Sequence, residues 1–471
     1  MTTRRHHSNS NPPVKDPRTE VSQTLFLNEI SPSYNCIVVG AGISGLYAAR
    51  ELRKKHPDWT IAIAERYKGL GGRTYSYSPP GFSDIHWEMG AGRIHRSHKH
   101  LLTLLKKYGL TFIPISPDIS YKASPTSPII PNPFESTLVP IYIDGLQRLP
   151  KDVLATHTIE DLLNRIYGRE LTKTILSYYP YRAELNVLRA DLALQSFLNG
   201  EMSSHEGYGT IQEGFSELIK RMREDCESQG IVILNRHRLL NLYPAAGTAT
   251  NLLFEFESKK ESGQTGKIQL RAENTVILAL HKDAVSELPV FQTWTGLQHI
   301  QTQPLLRTYA LFPVKKGGGV WFDTMCRIVT PELPRYILPI NPKKGVLMIS
   351  YTDGDDTKTY NKVLKGKGEK GLETRIMRDV RRLFPEKDIP NPVFFRSHMW
   401  ETGCSYWIPG PYDPVVESQK SCKPMPQRLP SVWLCGESWS LRQAWVEGAL
   451  EQTVKMLKQW SKETDSRKLL V

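Results

Sequence analysis

The sequence predicts an α/β fold in which a Rossmann-type parallel-sheet domain, assembled from separate stretches of chain, is joined to an α+β domain. Three observations predict it. An apolar run, Cys36-Ile37-Val38-Val39, ends on the loop Gly40-Ala41-Gly42-Ile43-Ser44-Gly45 and leads into a helical pattern over residues 46–55. A second apolar run, Ile61-Ala62-Ile63-Ala64, ends in Glu65. Far downstream, the runs Thr275-Val276-Ile277-Leu278-Ala279-Leu280, apolar after its threonine, and Val432-Trp433-Leu434 suit strands buried on both faces, so distant pieces complete the sheet.

The first loop carries chemistry. Closely spaced glycines let the backbone approach a pyrophosphate, and the helix behind them presents unpaired N–H groups and the positive end of its dipole. Gly40, Gly42, Ser44 and Gly45 are therefore dinucleotide-binding candidates. Glu65, ending the second strand, can accept both hydroxyls of an adenosine ribose, which implies a dinucleotide without a 2′-phosphate; Arg66 follows it. A glycine fingerprint alone is weak, but here strand, helix, second strand and acid fall in the required order.

Two further glycine turns decide which dinucleotide. Gly69-Leu70-Gly71-Gly72-Arg73 places Gly72 and the Arg73 guanidinium at a pyrophosphate, and Glu88-Met89-Gly90-Ala91-Gly92-Arg93-Ile94 brings backbone N–H groups from Gly90, Ala91 and Gly92 against a flat ring system. Nicotinamide dehydrogenases need neither turn. On these motifs the chain, from about residue 34 to 460, resembles the flavin-containing amine oxidase superfamily, which includes monoamine oxidases, polyamine oxidases, histone demethylases and L-amino-acid oxidases. The resemblance implies a flavoprotein oxidoreductase with FAD as cofactor. It also implies an FAD-binding domain of residues 34–100, 205–290 and 396–460, and a substrate domain of residues 101–204 and 291–395.

Composition bounds the rest. With 39% hydrophobic and 23% charged residues the chain of 471 is an ordinary globular protein. A net charge of +13 favours anionic partners, nucleic acid among them, without assigning any. The six cysteines form no C-x-x-C pair, so neither a zinc module nor a disulfide framework is expected, and a reducing compartment is. No apolar run approaches the roughly 18–20 residues of a membrane span. Residues 1–33 are expected to be a disordered basic tail and not a signal peptide, and residues 461–471 a polar tail. With no signal peptide or span expected, the protein is expected to be cytoplasmic or, since residues 335–356 look similar to amine oxidase-like proteins of large DNA viruses, particle-associated.

In chain order, His86, His95, His98 and His100 invite a metal reading, but no carboxylate stands at ligand spacing nearby, and no metal is expected. Residues 114–150 are rich in proline and serine and predict loops and short strands. Residues 159–176 predict a helix, Gly214 opens another reaching Ser228, and residues 231–235 a strand. The resemblance puts the backbone near Arg238 on the adenine. From 305 to 351 short β runs alternate with turns, as in an antiparallel sheet. Residues 358–387 hold ten basic and four acidic residues. With only Tyr360 and Phe384, near the two ends, they lack the interleaved aromatics that base stacking uses and predict a solvated helix over that sheet more than a polymer-binding face.

The remaining site residues come from the resemblance. A strand into Gly436-Glu437 and a helix starting at Trp445-Val446 imply Glu437 on the ribityl hydroxyls and helix N–H groups at the pyrimidine edge of the flavin. Arg307 stands where the superfamily has a lysine at the flavin; it is the catalytic candidate, or else half of a strand-face ion pair. Arg93 matches an arginine that binds the substrate carboxylate in L-amino-acid oxidases, with Trp445, Trp400 and, from a shifted register, Tyr336 as further substrate-binding candidates. Cys404 matches the cysteine that is covalently joined to the flavin in monoamine oxidases, although a free thiol is the preferred expectation. The activity implied is oxidation of a C–N bond of an L-amino acid or primary amine by hydride transfer to the flavin. It yields an imine, then an oxo product and ammonia, and with dioxygen hydrogen peroxide. Alternatives are a polyamine or monoamine oxidase, or a catalytically reduced flavoprotein with a structural or binding role.

Overall fold

The computed structural model describes residues 33–198, 206–244, 252–259, 263 and 265–468. The chain enters through β1 (Ser33–Val39), turns over the glycine loop into α1 (Ile43–Lys55) and returns through β2 (Ile61–Glu65). Of the tail expected at residues 1–33, Ser33 opens β1 and the rest lies outside the described residues. Both strands are covered on both faces, which is why they read as continuous apolar runs and not as alternation.

After α2 (Lys99–Lys107) comes a helical excursion. The single helix expected over residues 159–176 is two, α3 (Ile159–Tyr167) and α4 (Arg169–Ser177), because Gly168, at φ 80°, cannot continue a right-handed helix. Thr158 and Asp161 close a reciprocal capping box on α3. The short α5 (Ala183–Asn186) follows. The chain comes back through α6 (Phe215–Ser228), β3 (Val232–Asn235), β4 (His237–Pro244), β5 (Leu252–Lys259) and β6 (Thr265–Leu278). A second departure runs through β7 (Ile300–Leu311), β8 (Tyr336–Asn341), β9 (Val346–Asp353), α7 (Thr357–Leu383) and β10 (Phe394–Trp407). The last return is β11 (Val432–Leu434) and α8 (Val446–Lys468).

The first sheet has the order β3-β2-β1-β6-β5-β4, with β11 also on β6. Its β3, β2, β1 and β11 pairings are parallel, and Val39 stands level with both Ala64 and Leu278. Three strand ends, and with them Gly40, Glu65 and Ala279, therefore share one edge, the carboxyl edge where such sheets bind ligands.

The second sheet has the order β10-β7-β9-β8, extended by the short strands Arg327–Val329, Ile119–Tyr121 and Ile130–Pro131. In β7, Leu305 lies opposite Trp400 and Arg307 opposite Tyr351. Alternation sends Leu306 and Ala310 to the other face, where they pack with Ile376, Met377 and Val380 of α7. The basic segment is thus a helix with an apolar side buried on the sheet and Lys358, Lys362, Lys365, Lys367 and Lys370 exposed. Gly368, at φ 64°, breaks its path.

Two stretches lie in elements that the sequence reading divides. Residues 396–407, expected to open the last FAD-binding piece, belong to β10, which pairs with β7 in the second sheet on either side of a bulge at residues 401–403. The polar tail expected from residue 461 continues α8 to Lys468: Trp460 buries its ring, and Asp465 and Glu463 pair with Lys55 and Lys423. Among the described residues, no helix is long and apolar enough to cross a membrane.

Candidate active site

One cavity runs along the carboxyl edge of the first sheet and on to the inner face of the second. At the first end, Ala41 and Tyr67 donate backbone N–H groups, both at 2.9 Å, to the two oxygens of Glu65. Burial pushes the carboxyl's pKa up, while those N–H groups favour its anion. Helix α1 has no capping side chain and no acid in its first turn, so its N-terminus is left for a ligand. Gly40, Gly42, Ser44, Arg66 and Gly72 line this end, as does Arg238, ion-paired to Glu287 at 3.1 Å.

Gly45 is the exception among the fingerprint residues: it does not line the cavity. A Cβ there would stand 1.9 Å from the Gly40 carbonyl oxygen, so its role is to let α1 pack on the strand end. Gly42 is the opposite case, with no atom nearer than 3.8 Å to a Cβ. Its open side is the cradle itself.

The middle of the cavity is drawn together from distant sequence. Arg73 donates to Glu437 at 2.7 Å and to the Gly403 carbonyl at 3.1 Å, and the other oxygen of Glu437 accepts from Ser405 and Ala444 backbone N–H groups. Gly436, Trp445 and Val446 line the same stretch. Gly90, Ala91 and Gly92 form the opposite lining, with Trp400 against Gly90 and its indole N–H donating to the Met89 carbonyl at 2.8 Å. Cys404 also faces inward. Burial pushes its thiol up to about 12, the neighbouring Glu437 adds to that, and Arg73 only partly opposes it.

At the far end, Arg307 donates to the Glu88 carbonyl at 3.3 Å and lies over the Tyr351 ring at 5.5 Å; it makes no ion pair among the described residues. Its buried Nε has no hydrogen-bond partner there. Arg93 sits among three rings, 4.7 Å from the centre of Tyr181, 5.1 Å from Tyr208 and 5.2 Å from Trp445, and no carboxylate pairs with it among the described residues. Tyr336 does not line the cavity. It is 1% exposed and stands behind Tyr181 and Tyr351, so it backs the wall that Arg93 faces. The carboxylates that the local sequence lacks near His100 come from α8: Glu447 and Glu451 approach it, but Glu447 accepts from the His100 and Leu101 backbone and Glu451 from Arg442.

The pattern of the flavin containing amine oxidoreductases matches residues 43–454. The chain belongs to that family. It is an FAD-dependent oxidoreductase. Aplysianin-A of Aplysia kurodai is 21% identical over 94% of this chain and 93% of that protein. An L-amino acid dehydrogenase of Synechocystis sp. is 31% identical over 107 residues, 22% of this chain and 21% of that one. Among solved structures, wild-type putrescine oxidase bound to putrescine superposes with a TM-score of 0.67 at 16% identity, covering 91% of this chain and 99% of that chain.

The residues present fit the family's cofactor: an open glycine cradle, an uncapped helix end, a buried carboxylate at the strand edge and an arginine at the second glycine turn lie in one cavity. Tyr181, Glu184, Tyr208 and Tyr351 escaped sequence reasoning. For Tyr181 and Glu184 the one local signal is the aromatic run Tyr178-Tyr179-Pro180-Tyr181, which points to a packed wall without saying what it faces. The state of Cys404 is directly testable. With its thiol held neutral, the flavin of acid-precipitated protein is expected in the supernatant; flavin remaining in the washed pellet is the contrary result.

Proposed function

We propose that this flavoprotein oxidises the C–N bond of an L-amino acid to an imine, which water hydrolyses to an oxo acid and ammonia. The amino acid gives up two electrons, and dioxygen takes them with two protons as hydrogen peroxide. Bound FAD supplies the two-electron acceptor. Glu65 would take the adenosine ribose, with Arg66 and the Arg238–Leu239 backbone around the adenine. Gly40, Gly42, Ser44, Gly72 and Arg73 would take the pyrophosphate, Glu437 the ribityl chain, and Gly90, Ala91, Gly92 and the start of α8 the ring system.

The observation that carries the substrate reading is Arg93, a charged fork on the cavity wall, ringed by aromatics and without a carboxylate of its own. A planar guanidinium matches a carboxylate bidentately, and enclosure strengthens that pair. An amine without a carboxylate would leave this charge desolvated and unpaired. Trp400 and Trp445 would wall in the carbon to be oxidised.

Anaerobic mixing of the yellow protein with L-amino acids and with amines tests this. Amino acids are expected to bleach the flavin band; bleaching by amines alone overturns the reading. Admitting air then tests Arg307. Being permanently charged and planar, it can stabilise negative charge on dioxygen but cannot readily pass on a proton. Arg307→Met is expected to slow recovery of the yellow colour by about 10- to 100-fold while leaving anaerobic bleaching within about threefold.

A further inference from the structure

The carboxylates of the cavity wall are Glu65, Glu184, Glu287, Glu401 and Glu437. Three are ion-paired, Glu287 with Arg238, Glu401 with Lys365 and Glu437 with Arg73, and Glu65 has both oxygens taken by backbone N–H groups. Glu184 accepts a hydrogen bond from the Tyr179 hydroxyl at 2.7 Å and has no cation paired with it among the described residues. It feels Arg93 across the cavity, but the two do not form an ion pair. An unpaired negative group and an unpaired positive group thus face the same enclosed space.

Glu184 is also held firmly. It lies on α5, and Asp353 at the end of β9 accepts from the backbone N–H groups of Arg182 and Ala183, both at 3.2 Å. Arg335, itself paired to Asp356 at 3.0 Å, donates to the Tyr179 carbonyl at 2.8 Å. The chain is therefore tied to the second sheet on either side of Tyr181 and immediately before Glu184. Burial pushes the Glu184 carboxyl up to about 7, with Tyr179 and Arg93 favouring its anion. A carboxylate held in such surroundings by one hydroxyl and no paired cation is costly unless a ligand brings the cation.

We infer that Glu184 recognises a second cationic group on the substrate, so that the preferred substrates are L-amino acids with a basic side chain, their carboxylate on Arg93 and their distal cation on Glu184. This rests on the carboxylate reading of Arg93. A neutral side chain of the same length would leave Glu184 buried opposite nothing, which is the origin of the discrimination.

The test compares L-lysine with L-norleucine, which keeps the chain and lacks the ammonium, on the FAD-loaded wild type and on Glu184→Gln, an isostere that preserves the acceptor for Tyr179. The wild type is expected to prefer lysine in kcat/KM by about 100-fold, and Glu184→Gln to bring the two within about threefold by losing lysine alone. Glu184→Asp, which keeps the charge, is expected to retain part of the preference. Equal use of lysine and norleucine by the wild type overturns the inference. So does an equal loss on both in Glu184→Gln, which would put Glu184 on the α-amino group common to all amino acids. If neither amino acid bleaches the flavin while amines do, it is the Arg93 reading that fails, and this inference with it.

Discussion

Arg93→Ala is expected to lower kcat/KM for an L-amino acid by about a thousandfold, some 4 kcal/mol, while the protein keeps its flavin. The size follows from the surroundings. The guanidinium is enclosed by Tyr181, Tyr208 and Trp445, with little water to replace it at the carboxylate. Removing it leaves the substrate's anion buried against aromatic faces whose own charge distribution repels it. The decarboxylated amine of the same amino acid makes no demand on this site, so its kcat/KM is expected to stay within about threefold or to rise. Arg93→Lys should recover part of the loss, since a point charge replaces the fork but cannot bond both oxygens in plane. Equal losses on amino acid and amine would show that Arg93 serves the architecture or the flavin and not the carboxylate.

The contrast between what sequence could and could not say follows contact distance along the chain. The β1–α1–β2 unit was legible because its parts are consecutive and its strands, covered on both faces, are apolar throughout. Pairing across the cavity was not: Arg73 meets Glu437 from 364 residues away, and the Glu184 wall belongs to helices whose pattern reports burial but not orientation. Polarity misled at the C-terminus. A surface helix is polar on all but one stripe, and in residues 456–465 that stripe is little more than Met456 and Trp460, too sparse to read as a helix once the end of the chain is expected to fray. Tyr336 is a candidate only from a shifted register, and the structure puts its ring one layer behind the wall that Arg93 faces.

The fingerprint glycines show the same limit at single-residue scale, and they separate into two kinds of mutant. Gly45→Ala is expected to give a colourless, destabilised protein, because its Cβ would stand 1.9 Å from the Gly40 carbonyl oxygen and 3.3 Å from the Ala279 side chain. Main-chain atoms of β1 and α1 must separate to admit it, and that junction is also the site. Gly42→Ala has no such conflict: at φ −75° and ψ −179° alanine is unstrained, and its Cβ meets nothing nearer than 3.8 Å. The added methyl stands instead in the space left for the pyrophosphate. Its apoprotein should therefore melt within about 2 °C of wild-type apoprotein, while FAD affinity falls by about 10- to 100-fold, as overpacking by 1–3 kcal/mol requires. Thermal melts of the stripped proteins, followed by FAD titration, distinguish the two. A Gly42→Ala protein that binds FAD normally would mean the dinucleotide does not approach this turn, and the cradle would have to be sought elsewhere along the cavity.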